Sequence, residues 1–573
     1  MKRVFATIAV MTLASACGGA ARKPMPPLHP DGIDPRDSIA GPEALSLPLT
    51  EPRSIAPLPQ TRRISVQITF DQRGLHFRVT ANGVPEELAR WKMPVDTMTG
   101  VSAEDGEGVV KSFFRHDGLL DVGEPRATVA LVYDVKPEAT GDATLLTLIE
   151  ENRFRALGER VLCLPEAFDP QRVEATVVID AHAVDAPMSA SSFGVGGSRI
   201  RHVQRTMGSD LRRMAFFAGG GGHAIFDTPE GHDEAAWLGW SAFDPRAISA
   251  EIAGFRGLLH DYFKGTGLEP ATTLFVADER PRGRFRIMQR ASGILVSVGG
   301  KDPYDAPLRL AVGHELAHAW IGNRLWVGGS DAYWFQEGFA RWVSREQLAR
   351  VGLLSPDEYA AEVSRLLGVV TTTPKEKKTI ALQVARGALF ATILDARIRD
   401  KSQGARSLDD LLRALLHSNE LMEVKITADE FLAAAAKDAG DVIRTDFDDM
   451  VTSAKRSTLP ADALGGCFET RDVAYDVLDV GFDLPGSRVD PDKKVRAIDP
   501  KGPAAKAGLR DGDRLVSADD PVDTTEPAKI EIERDGRAMT LSFKPVGGTK
   551  RGQGFRRKPG LSDDACKKLA LRK

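Results

Sequence analysis

His314, Glu315 and His318 stand together as HELAH inside an apolar run free of Gly and Pro. Residues four apart share one face of a helix, so a helix here aims both imidazoles at one point. Two imidazoles are half of a tetrahedral shell, and catalytic zinc takes three protein ligands. Glu337, nineteen residues after His318, is the expected third. It follows a Gly328-Gly329 break and a helix start expected at Ser330 or Asp331, whose short polar side chains cap free N–H groups. Glu315, next to the first ligand, is the expected general base: zinc acidifies water to a pKa of roughly 7, and a neighbouring carboxylate takes its proton and returns it to the leaving amine. The chemistry predicted is amide hydrolysis with one Zn²⁺ per chain.

A HExxH string by itself can be a solvated helix face. Here Leu308, Val312, Leu316 and Ala319 fall at helical spacing on the opposite side, which predicts a buried helix, and buried His and Glu need a reason to be there.

HELAHAWIGN followed by WFQEGFA resembles the gluzincin aminopeptidases, whose two histidines and distal glutamate bind zinc. The resemblance implies a thermolysin-like domain over 186–460, and the chain around it is similar to the glycyl aminopeptidases. In gluzincin aminopeptidases a strand before the zinc helix carries a glutamate that grips the substrate's free amine. Aligned on Gly293, that position holds Arg290 in Ile287–Gly293. A cation repels an ammonium, so Arg290 is expected either to face an acidic substrate group or to sit exposed on its strand. Likewise Val384 stands where glycyl aminopeptidases have a tyrosine thought to stabilise the tetrahedral intermediate, leaving Tyr333 or Tyr304 as substitutes. The absent amine grip makes an endopeptidase one alternative. A metal-retaining scaffold serving a peptide-binding domain is another.

The remaining chain divides around this centre. Its 573 residues carry a net charge of −4, with 42% hydrophobic and 27% charged residues, which fits several globular domains and gives no basic excess for a nucleic-acid partner. Met1–Cys17 has Lys2-Arg3, an apolar Val4–Leu13 and Ala14-Ser15-Ala16 before the cysteine. It resembles a bacterial lipoprotein signal, implying lipidation of Cys17, anchorage to membrane and residence in the cell envelope facing the periplasm; a plain cleaved signal peptide is the alternative. Residues 18–60, rich in Pro, read as a flexible linker. Residues 61–185 alternate apolar and polar in ISVQITF, LHFRVTA and ATVALVYDV, and predict a β-rich domain in which His76 and His116 serve the surface or packing. Between Ser189 and Asp278, Phe216-Phe217-Ala218 predicts a strand entering a glycine loop with His223 and His232 as loop histidines, and 247–263 predicts a helix. After Glu337 the pattern is helical to about Leu459.

The overall expectation is a multidomain α+β chain. VRAIDPKGPAAKAGLRDGDRLVSADD resembles a bacterial PDZ domain, placed at 467–546, with a groove for an extended peptide or protein C-terminus along a strand at Val480-Gly481-Phe482 and a tail over 547–573. Cys467 and Cys566 flank that domain and are expected to pair, the alternative being free thiols at Cys163, Cys467 and Cys566.

Overall fold

The computed structural model describes residues 62–570 apart from 95–97, 109, 139–146, 229–230, 240, 265–270, 279–284, 330–331, 375, 378, 419–423, 519–523 and 526. Cys17, the linker and the helix start expected at Ser330 or Asp331 lie outside these residues. No helix among the described residues is long and apolar enough to cross a membrane.

Strict alternation makes the first domain a sheet. Seven strands run in the order Arg199–Met207, Arg172–Asp180, Arg63–Asp71, Gly74–Asn82, Thr128–Val135, Met98–Asp105 and Val110–Lys111. All neighbours are antiparallel except Arg63–Asp71 with Arg172–Asp180. Ile64, Val66, Ile68 and Phe70 occupy one face of the central strand and are buried, whereas the polar residues between them stay accessible. Since Arg199–Met207 completes this sheet and Ala215–Gly219 joins a second one, the β-rich unit runs past the expected boundary at 185 to about 219. The glycines after Phe217 open a hairpin, not a loop. His223 and His232 lie on its paired strands Gly221–Thr228 and Gly231–Leu238, and His232 Nδ1 meets Asp227 2.9 Å away.

That hairpin begins the sheet carrying the site, in the order Gly221–Thr228, Gly231–Leu238, Thr272–Asp278, Gly293–Gly299 and Arg286–Arg290, with the last at the edge. The helix expected at 247–263 spans Pro245–Phe263. Two helices then carry the motifs. The HELAH helix is Ala306–Ala317, capped by Asp305, whose side chain accepts from the Leu308 amide, with Pro307 in the first turn. The WFQEGFA helix is Tyr333–Arg350. Further helices follow at Pro356–Thr372, Ile380–Lys401, Leu408–Leu416 and Ala428–Ala439.

The C-terminal region departs from expectation twice. Residues 480–483 form no strand: Asp483 accepts from the Gly486 amide, Pro485 occupies the first turn, and Leu484–Val489 is a helix. The strand expected at Val480-Gly481-Phe482 is therefore not formed, although the segment keeps backbone hydrogen bonds to Arg496 and Asp499. Nor is 547–573 a tail, because Val546–Arg557 pairs antiparallel with Phe468–Leu478 and this ribbon packs on Pro356–Thr372, where Ser364 Oγ contacts the backbone of Phe555. Cys467 and Cys566 are joined as a disulfide across 99 positions, Cα atoms 5.0 Å apart, while Cys163 is a buried free thiol. Between the strands of the ribbon, Phe482, Leu484, Val495, Ala504, Leu509, Leu515, Ile530, Ile532 and Leu541 form a separate small core.

Candidate metal and catalytic site

The helix crossings fix where the site residues point. Gly313, one residue before His314, faces Ser344 of the WFQEGFA helix; a Cβ at 313 would stand 2.5 Å from Ser344 Oγ. Ser344 Oγ also donates to Leu310 O at 3.1 Å. Behind the second helix, Gly338 meets Gly387 of Ile380–Lys401 so closely that a Cβ at 338 would lie 2.7 Å from the Gly387 Cα. Glu337 is thus held between two close helix contacts, and Trp334, Phe335 and Phe339 bury the other side of its helix among Phe390, Phe431 and Phe447.

The outcome is convergence. His314 Nε2 lies 2.9 Å from Glu337 Oε2 and 3.2 Å from His318 Nε2, which in turn is 3.5 Å from Glu337 Oε2. Tetrahedral ligands at about 2.0–2.1 Å from one zinc ion stand about 3.3 Å apart, so this triangle fits zinc. His318 is oriented by Nδ1 against the Ile321 carbonyl at 3.0 Å, the kind of outer contact that fixes the tautomer of a metal-binding imidazole.

Among these side chains alone, burial pushes the His314 imidazole down to about 4, so that it is neutral at pH 7, the form in which it can bind metal. Burial also lowers His318, but hydrogen bonding and charge from Glu337 outweigh it and raise the ring above its ordinary value. Glu337, against its burial, is held well below the usual carboxylate range by His314 and His318. Glu315 is pushed up to about 7 by burial, opposed by His318 and Arg213 and assisted by Glu337. A carboxyl group poised near neutrality can both accept and release a proton.

The cleft beside these residues has two adjoining lobes that share Gln289, Glu315, Gly322, Asn323 and Trp326. The smaller, of about 260 Å³, is lined by His318, Tyr333, Gln336 and Glu337 as well. The larger, of about 610 Å³, extends along Arg290–Ile294 to Arg213 and Lys425. Tyr333 therefore lines the same lobe as His318 and Glu337. Tyr304 does not: it is half-buried against Phe243, with the Arg309 guanidinium over its ring. Val384 is half-buried on Ile380–Lys401.

Arg290 corrects the sequence reading. It is only 8% exposed, and Nη1 donates to Glu159 Oε1 of the β domain at 2.8 Å, so it is neither solvated nor free to pair with a substrate. Gly293 is a site of close approach, where a Cβ would lie 1.8 Å from the Thr272 carbonyl of the neighbouring strand. On the edge strand it is Gln289 that faces the cleft, donating from Nε2 to the Glu315 carbonyl oxygen at 3.2 Å. Sequence reading missed it. Strand alternation guarantees that only one of Gln289 and Arg290 faces the HELAH helix, but which one depends on the turn at Ala291-Ser292.

No protein-family model matches the sequence, and no curated protein does. Among solved structures, an aminopeptidase N family protein from Idiomarina loihiensis is similar with a TM-score of 0.60 at 14% identity, covering 88% of this chain and 100% of that one. Weaker likenesses are an M1 zinc metallopeptidase from Deinococcus radiodurans (TM-score 0.46, 15% identity, 70% of this chain and 96% of that one) and Legionella pneumophila aminopeptidase A in complex with aspartic acid (0.46, 12%, 86% and 56%). Over most of its length the chain thus has the multidomain α+β fold, with an N-terminal β-rich domain, of an aminopeptidase N family protein.

Proposed function

We propose that the chain is a zinc-dependent metallopeptidase, with His314, His318 and Glu337 holding one zinc ion and Glu315 as general base and then acid. The observation that carries this reading is the triangle of His314 Nε2, His318 Nε2 and Glu337 Oε2 at 2.9, 3.2 and 3.5 Å, with Glu315 lining the cleft beside it. A zinc ion bound there supplies the Lewis acidity that polarises a carbonyl and makes water nucleophilic near neutral pH. Glu315 accepts the proton of the attacking water and passes it to the departing amine. Tyr333 lines the same lobe, and its hydroxyl is the candidate donor to the developing oxyanion in place of the tyrosine expected where Val384 stands. Gln289 offers an amide to the substrate backbone.

An aminopeptidase of glycyl aminopeptidase type is the first form of the proposal. Endopeptidase action is the second, favoured by Gln289: a neutral amide forms no ion pair with a free α-ammonium. Hydrolysis of a mixed peptide library by the protein and its Glu315→Gln variant tests the proposal. Cleavage lost in the variant supports it, with products from free or N-blocked peptides deciding between the two forms; no cleavage by the unaltered protein points to a scaffold.

The same reading takes the chain to be exported and lipid-anchored at Cys17, which radiolabelled palmitate incorporation with a Cys17→Ala control tests. The disulfide between Cys467 and Cys566 accords with an oxidising compartment. The small core around Ala504, Ile530 and Ile532 supports a PDZ-type unit after the peptidase domain, with peptides or protein C-termini as partners.

A further inference from the structure

We propose that Arg213 is a specificity-determining residue that receives a substrate carboxylate in the larger lobe of the cleft. This rests on the peptidase reading and extends it to a substrate class, peptides bearing a carboxylate near the bond to be cut.

Two cations of that lobe are already paired. Arg256 is committed to Asp233, its Nε and Nη2 donating to the two carboxylate oxygens at 2.9 and 3.0 Å. Arg290 is committed to Glu159. On the short helix Gly208–Arg212, Arg212 donates from Nε to Asp169 at 2.8 Å and from Nη2 to the Leu164 carbonyl at 3.1 Å. Its neighbour Arg213 is exposed, lines the cleft with Glu315 and Gln289, and its guanidinium has no hydrogen-bonded carboxylate or carbonyl among the described residues, Glu315 being the carboxylate on which its charge acts. An unpaired guanidinium in a cleft wall is a fork of donors suited to carboxylate.

The segment that presents it is firmly seated. A Cβ at Gly158 would lie 2.7 Å from the Leu211 and Arg212 carbonyls, and one at Gly208 would lie 2.1 Å from the Phe168 carbonyl. The Gly158 amide donates to Met214 O at 2.7 Å and the Arg213 amide to Asp210 O at 3.0 Å. Backbone fixed on both sides of Arg213 lowers the entropy lost when its side chain engages a ligand.

Few carboxylates oppose an anion there: besides Glu315, Asp210 is the one carboxylate of the lining, and Asp210 accepts from Thr206 Oγ1 at 3.2 Å, while Arg256 and Arg290 are already neutralised by Asp233 and Glu159 and add nothing to the field at Arg213. Gln289 adds an amide where an acidic residue would oppose a substrate anion. A substrate carboxylate can come from an acidic side chain or from the C-terminus of a short peptide, and both present the same two oxygens.

Four versions of one quenched peptide separate these sources: Glu or Gln next to the cleaved bond, each with a C-terminal acid or amide. Binding to the Glu315→Gln protein is measured by calorimetry, and hydrolysis by the unaltered protein is measured in parallel. The proposal expects a carboxylate-bearing version to bind about 10-fold more tightly than the uncharged one, the value of a charge-assisted contact at an accessible site. The preference is expected to collapse in Arg213→Gln, to persist in Arg213→Lys, and to be unchanged in Arg201→Gln, an exposed arginine outside the cleft lining. Preference for Glu over Gln assigns a side-chain carboxylate, and preference for acid over amide assigns the C-terminus. Equal binding of all four peptides, or a preference that survives in Arg213→Gln, overturns the proposal. Failure of the peptidase reading is distinguishable: it shows as no hydrolysis of any peptide, while the binding ratios still judge Arg213.

Discussion

Replacing Gly387 by alanine tests whether the helix crossing behind Glu337 positions the site. In an unconstrained helix this change stabilises by about 1 kcal/mol, because alanine has the better helix propensity. At 387 a Cβ would lie 1.8 Å from the Trp334 carbonyl oxygen and 2.6 Å from its carbon. A tolerable C···O contact is about 3.3 Å, so Tyr333–Arg350 and Ile380–Lys401 must separate by roughly 1.5 Å. Overpacking of this kind costs about 1–3 kcal/mol, which exceeds the propensity gain. Trp334 is one turn before Glu337, so the shift is passed to the third ligand, and misplacement of about 1 Å in a catalytic group lowers rate about 100-fold. Gly254→Ala in Pro245–Phe263 is the matched control, since a Cβ there meets nothing within 4 Å and the variant should be slightly more stable. Thermal unfolding and zinc affinity are measured for both. If Gly387→Ala matches Gly254→Ala in stability and binds zinc as the unaltered protein does, the positioning argument is refuted.

Other expectations follow from the same structure. Glu362 is buried between Arg341 and Arg365, each donating at 2.8 Å, and Glu362→Gln should destabilise the protein by about 3 kcal/mol in urea unfolding by leaving two guanidinium groups uncompensated. Reduction of the Cys467–Cys566 disulfide, or Cys566→Ser, should lower stability by about 2–4 kcal/mol, and the linked peptides should appear in a non-reduced digest. His76 is lowered by burial but raised more by hydrogen bonds to Asp134 and Asp71 at 2.6 and 3.1 Å, a net upward shift. Its contribution is therefore fully present below its unfolded pKa of about 6.5 and lost as pH rises through the higher folded value; thermal unfolding from pH 5.5 to 9 should show this loss, of about 0.2–1 kcal/mol, and His76→Gln should remove it.

Much of the site was legible because its signals are local. HELAH carries its own helical spacing, and the apolar residues on the other face announced a buried helix, which is how Leu308, Val312 and Leu316 are placed. Alternation likewise exposed the strands of the β domain. What sequence could not convey was set by distant partners. Arg290 reads as a free cation until Glu159, 131 positions away, is brought beside it. Gln289 gained its place from strand facing, a property that a turn of two residues can invert. Val546–Arg557 has eight glycine, arginine or lysine residues against two apolar ones, and it became a strand only by pairing with Phe468–Leu478, a contact of long sequence separation. The helix at Leu484–Val489 was concealed by resemblance, although Asp483-Leu484-Pro485 is a good helix start on its own chemistry.

The central claim is that His314, His318 and Glu337 hold zinc, and metal content with zinc-edge X-ray absorption tests it most directly. The account predicts about one zinc per chain with two imidazole nitrogens near 2.0–2.1 Å and carboxylate oxygen completing the protein ligands, and loss of that zinc in His318→Ala and Glu337→Ala under conditions where both variants remain folded. A protein that binds no zinc, or zinc that stays bound with an unchanged spectrum in both variants, would contradict it.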